Sequence, residues 1–440
     1  MKFTYSFHPL GETFFKYGSH MIQRKFGKVA ALTLTVGLMS GFVSAPVHAA
    51  SNTIIVWADE TRGPHLQQVI AAKGDWVPGY TIKIVPFSSF DALKTAFDNA
   101  TALTGPDIVV GANDWVPTGA KNGKLAPVTL SSSVRSKFTA NNFFDLSYKG
   151  VLYGVPLDVN NVAMIYNSKL TSKPGTLRQM VKFYLANKAA DKLTAGLCVA
   201  GGGMSWGAES VLGALGGAAY VMTPSGAVDP SADPLPASVA TNIKALFLNK
   251  NGKSNGFFPA TDTGCKTAFL AGTVPYAIIG NWEWQDYVKA GFDMNLMPVP
   301  SINHGKYGSA YASVSGAMLT IYAAQHGVDQ GAKSLLNNFF GSAAGAVAYQ
   351  NVELRPPANK VAQKDASISA AQKGFGKAGA TAGIPQIGAI LNGASGSKSF
   401  WDLLPAFWTD VLVNGKDPVT SVAKMDAFFK TNITAGIPQL

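Results

Sequence analysis

The chain is short of cysteine, histidine and charge. Its 440 residues hold two Cys and six His, and 14% of them are charged, against about 25% in an average soluble protein. Two cysteines cannot build a disulfide scaffold, so the fold must rest on apolar packing. Cys198 and Cys265 can pair in an oxidising compartment or remain two buried thiols, and both readings stand. The histidines beyond residue 50, His65, His304 and His326, are scattered, which argues against a zinc centre and leaves no metal expected. No cofactor fingerprint is present. Gly201-Gly202-Gly203 runs into Met204-Ser205-Trp206, without the Lys-Ser/Thr or the Gly-x-Gly-x-x-Gly spacing that a phosphate cradle requires.

Long apolar runs are scarce as well. Val29 to Val43, about fifteen residues, falls short of the ~20 that span a bilayer. Arg24, Lys25 and Lys28 precede it and Val47-His48-Ala49 follow it. That pattern predicts an export signal over residues 1–49, removed after Ala49, with Met21 as an alternative start. No Cys stands at the cleavage site, which favours a soluble periplasmic protein over a lipid-anchored one. The basic excess is +11 overall, and beyond residue 49 it is +7, from 31 basic and 24 acidic residues. It is diffuse, without the packed Lys/Arg cluster of a nucleic-acid surface, so no nucleic-acid partner is expected. Few carboxylates on a positive chain suit an acidic exterior, where carboxylates needed as anions would lose their charge.

Apolar residues, in contrast, are plentiful. They make up 47% of the chain, with 25 Phe and 8 Trp, enough for two cores in a chain too long for one. Thr53 to Trp57 is an apolar strand; a helical pattern with Leu66, Val69 and Ile70 on one face follows. Tyr80 to Val85, Phe90 to Ala102 and Ile108 to Val110 repeat the strand, helix, strand order, which predicts an α/β fold with a parallel sheet. Ligands of such sheets collect at the carboxyl ends of strands. Asp59, Glu60 and Arg62 fall after the first strand, and Asn113, Asp114 and Trp115 after the third. Another strand, Thr273 to Ile279, ends in Asn281-Trp282-Glu283-Trp284. Gly376 to Gly393, low in charge and rich in Gly and Ala, is expected to be a loop.

The joint of the chain lies between Lys149 and Leu170. Two apolar runs, Val151 to Val155 and Val162 to Tyr166, flank Pro156, Asp158, Asn160 and Asn161. They read as strands meeting at a polar crossover between domains.

Gly154-Val155-Pro156 and Ile165-Tyr166-Asn167 resemble the hinge strand of the bacterial extracellular solute-binding proteins of ABC sugar importers. Trp57-Ala58-Asp59-Glu60-Thr61-Arg62, Gly105-Pro106-Asp107-Ile108 and Asn281-Trp282-Glu283-Trp284 fall in order at the spacings of the maltose/maltodextrin-binding proteins. The similarity runs from about residue 53 to 435. It implies a two-lobe periplasmic-binding-protein fold of type II with hinge crossovers. Residues 50–158 and about 308–355 would form lobe I, and 159–307 and about 356–440 lobe II. It further implies a non-catalytic, monomeric protein that closes on a carbohydrate ligand and delivers it to a membrane permease.

Sugar rings need flat aromatic platforms for their C–H faces and planar polar groups for their hydroxyls. On the resembled motifs the platforms are Trp206, Trp282 and Trp401, and the polar rim is Asp59, Glu60, Arg62, Asp114, Trp115 and Asn160. The departures are instructive. Asn160 stands where the family has Glu, Gly111 where it has Trp, and Trp115 where it has Arg. The favoured cargo is a di- or oligosaccharide of maltodextrin type. A secreted glycoside hydrolase would need two carboxylates about 5 to 10 Å apart with separated pKa values, for which Asp59 or Glu60 with Asp114 are the candidates. The same fold carrying a non-sugar solute, a polyamine, metal ion or anion, is the third reading.

Overall fold

The structure, a computed structural model, describes residues 52–223, 227–393 and 398–439. The export signal expected at the amino terminus lies outside these residues.

The described residues hold ten strands: β1 (Thr53–Ala58), β2 (Thr81–Pro86), β3 (Ile108–Ala112), the hairpin pair β4 (Ser147–Tyr148) and β5 (Val151–Leu152), β6 (Gly154–Tyr166), β7 (Leu197–Val199), β8 (Tyr276–Gly280), β9 (Ala310–Leu319) and β10 (Gly383–Ile384). Eight of them form one mixed sheet in the order β2-β1-β3-β9-β6-β8-β7, with β10 beside β9. β1 pairs in parallel with β2 and β3, as the strand-helix alternation predicts. β9 runs antiparallel to β3 and β6, and β6 antiparallel to β8, while β10 pairs with β9 in parallel.

β6 is the pivot of this sheet. Its residues Gly154 to Asn161 pair with β9 and its residues Val162 to Tyr166 pair with β8. The register slips between Pro156 and Asp158, where Pro156 has no N–H to give the ladder and a bulge absorbs the misfit. Apolar packing changes along the same strand. Val155 and Leu157 join a core with Ile54, Val56, Leu93, Val110, Leu319 and Phe339. Val162 and Met164 join one with Tyr184, Phe247, Phe257 and Trp408, and Ala163 and Ile165, on the opposite face, pack with Phe269, Tyr287 and Phe375. Alternation of side chains across a strand explains the division of the last four residues between two cores.

Cys198 and Cys265 are joined in a disulfide that closes a loop of 67 residues in sequence, so the paired reading holds. Helix Ala370–Ala382 and the short helix Gly388–Leu391 overturn the expected loop at 376–393. A reciprocal cap between Ser369 and Gln372 starts the longer helix, and that local signal outweighs the glycines inside it. No helix among the described residues is long and apolar enough to cross a membrane.

Candidate functional site

β1 ends against the first turn of helix Arg62–Lys73, and the turn between them is held by Asp59. Its Oδ1 accepts the N–H groups of Thr61 and Arg62 at 3.1 and 2.8 Å and the Thr61 hydroxyl at 3.0 Å. Its Oδ2 accepts Arg62 Nη1 at 2.7 Å. A short acidic side chain before a helix satisfies amides that the helix leaves open. Burial acts to raise the Asp59 pKa, but the charge of Arg62, its backbone N–H and the charge of Arg355 prevail and hold it at about 2.

Arg62 then reaches across to the crossover. Its Nε and Nη2 donate to the two oxygens of Asp158 at 3.3 and 3.2 Å, and Nη2 also meets Ser315 Oγ at 2.7 Å and Asn160 Oδ1 at 3.4 Å. Period-2 geometry places these partners together: Asp158 and Asn160 share a face of β6, Ser313 and Ser315 a face of β9, and Asp158 lies opposite Ser315. Arg355 closes the network from beyond β9, donating to Asn160 Oδ1 at 3.0 Å and to Thr61 Oγ1 at 3.2 Å while paired with Glu353 at 2.7 Å. Asp59, Arg62, Asp158, Asn160, Ser315 and Arg355 are all buried. Thr61 and Glu60 form the exposed edge.

Two residues further along the same face of β9 as Ser313 lies Tyr311, fully buried, with two indoles against it and a third against one of those. Tyr311 is 6.3 Å from Trp206 and 5.9 Å from Trp401, centroid to centroid, and Trp206 is 5.5 Å from Trp282. Each ring comes from a different part of the chain. Trp206 sits in a wide turn at Gly203–Gly207, Trp282 follows β8, and Trp401 opens helix Phe400–Leu412. The Gly201 to Gly207 stretch is a packing device, not an anion cradle. A Cβ on Gly201 would lie 2.0 Å from the Gly280 nitrogen and one on Gly207 2.1 Å from the Gly201 carbonyl, so only bare backbone fits. Trp282 is 38% exposed, and Trp206 and Trp401 are half-buried.

The expected rim therefore divides. Asp59, Arg62 and Asn160 meet in one polar network, Trp206, Trp282 and Trp401 meet in one aromatic cluster, and β9 links the two. Glu60 stays at the solvent edge. Trp115 goes elsewhere: it is buried in the core, 4.9 Å from Phe90 and stacked at 6.3 Å on Phe97. Its ring occupies the space over Gly111, where a Cβ would come within 2.3 Å of it. The Gly111 and Trp115 departures are thus one exchange, with the ring filling the volume that the small residue leaves.

Asp114 is placed against the segment that follows β10, whose Gly388 backbone packs on it closely. One carboxylate oxygen has no partner. Burial pushes its pKa up to about 6, against opposing effects of Lys94 and a hydrogen bond from Gln386. The same segment binds the indoles, Trp206 Nε1 donating to Gln386 Oε1 at 2.8 Å and Trp401 Nε1 to Asn392 Oδ1 at 2.9 Å.

Asp158, Ser315, Arg355, Tyr311, Gln386 and Asn392 were not among the expected site residues. Asp158 and Ser315 carry a usable signal, a polar residue two places from another polar residue in a strand. Arg355, Gln386 and Asn392 have none that is local. Among the described residues, open cavities of about 380 and 680 Å³ have no indole in their lining, although Gln386 to Ala389, on the segment that holds Trp206, line the smaller. The larger is lined by Val159 and Ala312, which point to the side of β6 and β9 opposite Arg62.

A pivot strand with a buried charged joint beside a partly open aromatic cluster defines a protein built to hold a solute. Residues 71–376 match the family of bacterial extracellular solute-binding proteins. The chain belongs to that family, whose members bind solutes and are not enzymes. It is similar to a galactooligosaccharide-binding protein of Bacillus subtilis, 22% identical over 287 residues that cover 64% of this chain and 67% of the relative. A maltodextrin-binding protein of the same organism is 22% identical over 403 residues, 85% of this chain and 91% of the relative. A maltotriose-binding protein of Pyrococcus abyssi is 36% identical over 86 residues, 19% and 18% of the two chains.

Proposed function

We propose that this chain is the periplasmic sugar-binding component of an ABC importer, taking a di- or oligosaccharide of maltodextrin type and passing it to a membrane permease. The observation that carries the proposal is the aromatic cluster drawn from distant parts of the chain, Trp206 and Trp401 against Tyr311 and Trp282 against Trp206, next to a buried polar network on β6 and β9. A pyranose ring requires a stacking surface and polar groups at its rim; the indoles supply the first, and Glu60 and Thr61, at the exposed edge of the network, are within the part of it that solvent reaches. The names of the relatives, all binders of oligosaccharides, support the same cargo.

The two-lobe reading is supported by the packing. One core draws on the 50–158 and 308–355 segments with Ala358 added, and the other two draw on the remaining segments with Ala310 and Tyr311 of β9 added. β6, β9 and the 353–357 stretch, whose Pro356 carbonyl accepts the Val159 N–H at 2.9 Å, are the crossovers at which a hinge would bend. Ligand binding to a monomer would then shift its population toward a closed form. A tryptophan-fluorescence titration of the chain from residue 50 onward, against maltose, maltotriose, maltohexaose, galactooligosaccharide, spermidine and phosphate, tests the proposal. A saturable change with a sugar is expected; a response to spermidine or phosphate alone refutes the sugar reading.

A further inference from the structure

The segment Gly383–Gly393 forms a strap along one end of the indole cluster, and its side chains take up hydrogen bonds that a ligand could otherwise use. It is anchored from below by Tyr220, whose hydroxyl donates to the Pro385 carbonyl and accepts the Ile387 N–H at 3.2 Å. It is anchored from behind by helix Pro418–Gly436, whose Gly436 packs against Ala389 so tightly that a Cβ there would lie 2.7 Å from the Ala389 carbonyl. From the other side Asn113 Nδ2 donates to the Gln386 carbonyl at 2.6 Å, and Asn392 Nδ2 to the Asp114 carbonyl at 3.3 Å.

An indole at a sugar site has a face to stack on and an N–H at its edge to donate. The edges of Trp206 and Trp401 are spent on Gln386 and Asn392, so these rings offer faces only, and those two side chains lie against their N–H edges. Trp282, at the other end of the cluster, is the most open of the three. The cluster is thus open on the Trp282 side and walled on the strap side.

We infer that the strap makes the site read the end of an α-glucan chain: Gln386 and Asn392 form a wall at which one terminus stops, while the rest of the sugar leaves past Trp282. This rests on the sugar-binding function proposed above. Two probes of equal glucose content separate the wall from mere stacking. Linear maltohexaose has termini, whereas α-cyclodextrin, a ring of six glucoses, has none and must lie across the wall.

Calorimetric titration of the chain from residue 50 onward is expected to give an affinity for maltohexaose at least about tenfold above that for α-cyclodextrin. Gln386→Ala with Asn392→Ala should reduce the gap to about threefold or less by admitting the ring. Gln386→Met, which keeps the bulk of the wall but not the acceptor for Trp206, should keep the gap while weakening both ligands, and thermal melts will show that each variant is folded. Equal affinity of the wild type for the two probes, or a gap left intact by the double variant, overturns the inference. If sugars of the earlier panel bind and maltohexaose does not, the inference falls and the sugar function stands; if none binds, both fall.

Discussion

Replacing Arg62 by Met tests the buried joint directly. The guanidinium is 3% exposed and its carboxylate partners Asp59 and Asp158 are 2% and 0% exposed, so solvent screens the charges little. Removing one side of such a buried arrangement costs about 3 to 5 kcal/mol, because the remaining charge keeps its desolvation penalty without its partner. Arg355 also acts on Asp59, and Asn160 Nδ2 donates to Asp158 at 2.9 Å, so the low end, about 3 kcal/mol, is expected at pH 7. The pH dependence carries the sharper test. In the wild type the Asp59 pKa lies below its unfolded value of 3.8, so its stabilisation is complete above about pH 4 and is lost only as pH falls through about 2. Stability from this group is flat between pH 7 and pH 4. In the variant, Asp59 keeps its burial without the charge of Arg62, which raises its pKa, and the penalty fades as falling pH protonates it. Urea unfolding of both proteins at pH 7 and pH 4, at one ionic strength, should show the gap between them narrowing by about half or more. A gap that is the same at both pH values, or one under about 1 kcal/mol at pH 7, refutes the account of the joint.

Three further outcomes are expected. Trp282→Ala should weaken sugar binding by about 1 to 3 kcal/mol, by analogy with the stacking of bases on aromatic rings; titration at unchanged affinity would remove this indole from the site. Glu209 is fully buried, with one oxygen bonded to the Ala219 N–H and the other unpartnered, and burial pushes its pKa from 4.5 to about 8. A raised value favours folding below pH 4.5 and is lost as pH climbs toward 8, by about 1.4 kcal/mol per pH unit. Glu209→Gln should therefore flatten the decline of stability between pH 4.5 and about 8 by several kcal/mol, and a parallel pH profile would contradict this. Opening the Cys198–Cys265 bridge frees a loop of 67 residues, for which chain entropy gives about 4 kcal/mol; the Cys198→Ser, Cys265→Ser double variant should lose that much in urea, and a change under about 1 kcal/mol would show that the reduced chain keeps the loop ordered.

Local patterns carried most of the fold and only half of the site. β1 to β3 and their helices are legible because each is a short apolar or period-3.6 stretch bounded by polar residues, and such signals are complete within a dozen positions. The crossover is legible because Asp158, Asn160 and Asn161 interrupt two apolar runs. The helix at Ala370–Ala382 was not, because its Gly and Ala content masks the Ser369-x-x-Gln372 cap. At the site, Trp282 and Arg62 stand at strand ends, where topology alone points to function. Arg355 joins Asn160 across 195 positions and Gln386 joins Trp206 across 180. Contacts at that separation depend on how the whole chain packs, and no local window contains them. Trp115 misled for the opposite reason: its position at a strand end suggests a ligand, yet Gly111 four residues earlier leaves the hole that draws the ring into the core.

The charges at the site have the outward form of an acid and base pair, with Asp59 held at about 2 and Asp114 raised to about 6. The hydrogen bonds separate that form from catalysis. A glycosidase nucleophile or base needs a lone pair free to meet the anomeric carbon or a water. Asp59 accepts four bonds, from Thr61 twice and Arg62 twice, and is buried behind them. Arg62 in turn spends its donors on Asp59, Asp158, Asn160 and Ser315. A network whose members satisfy one another has nothing left to exchange with a reacting bond, but it fixes the Asp59 to Arg62 turn, with Thr61 at its exposed edge, against the side chains of Asp158 and Ser315. Such rigidity lowers the ordering entropy that association must overcome, which serves capture and release of an unaltered solute.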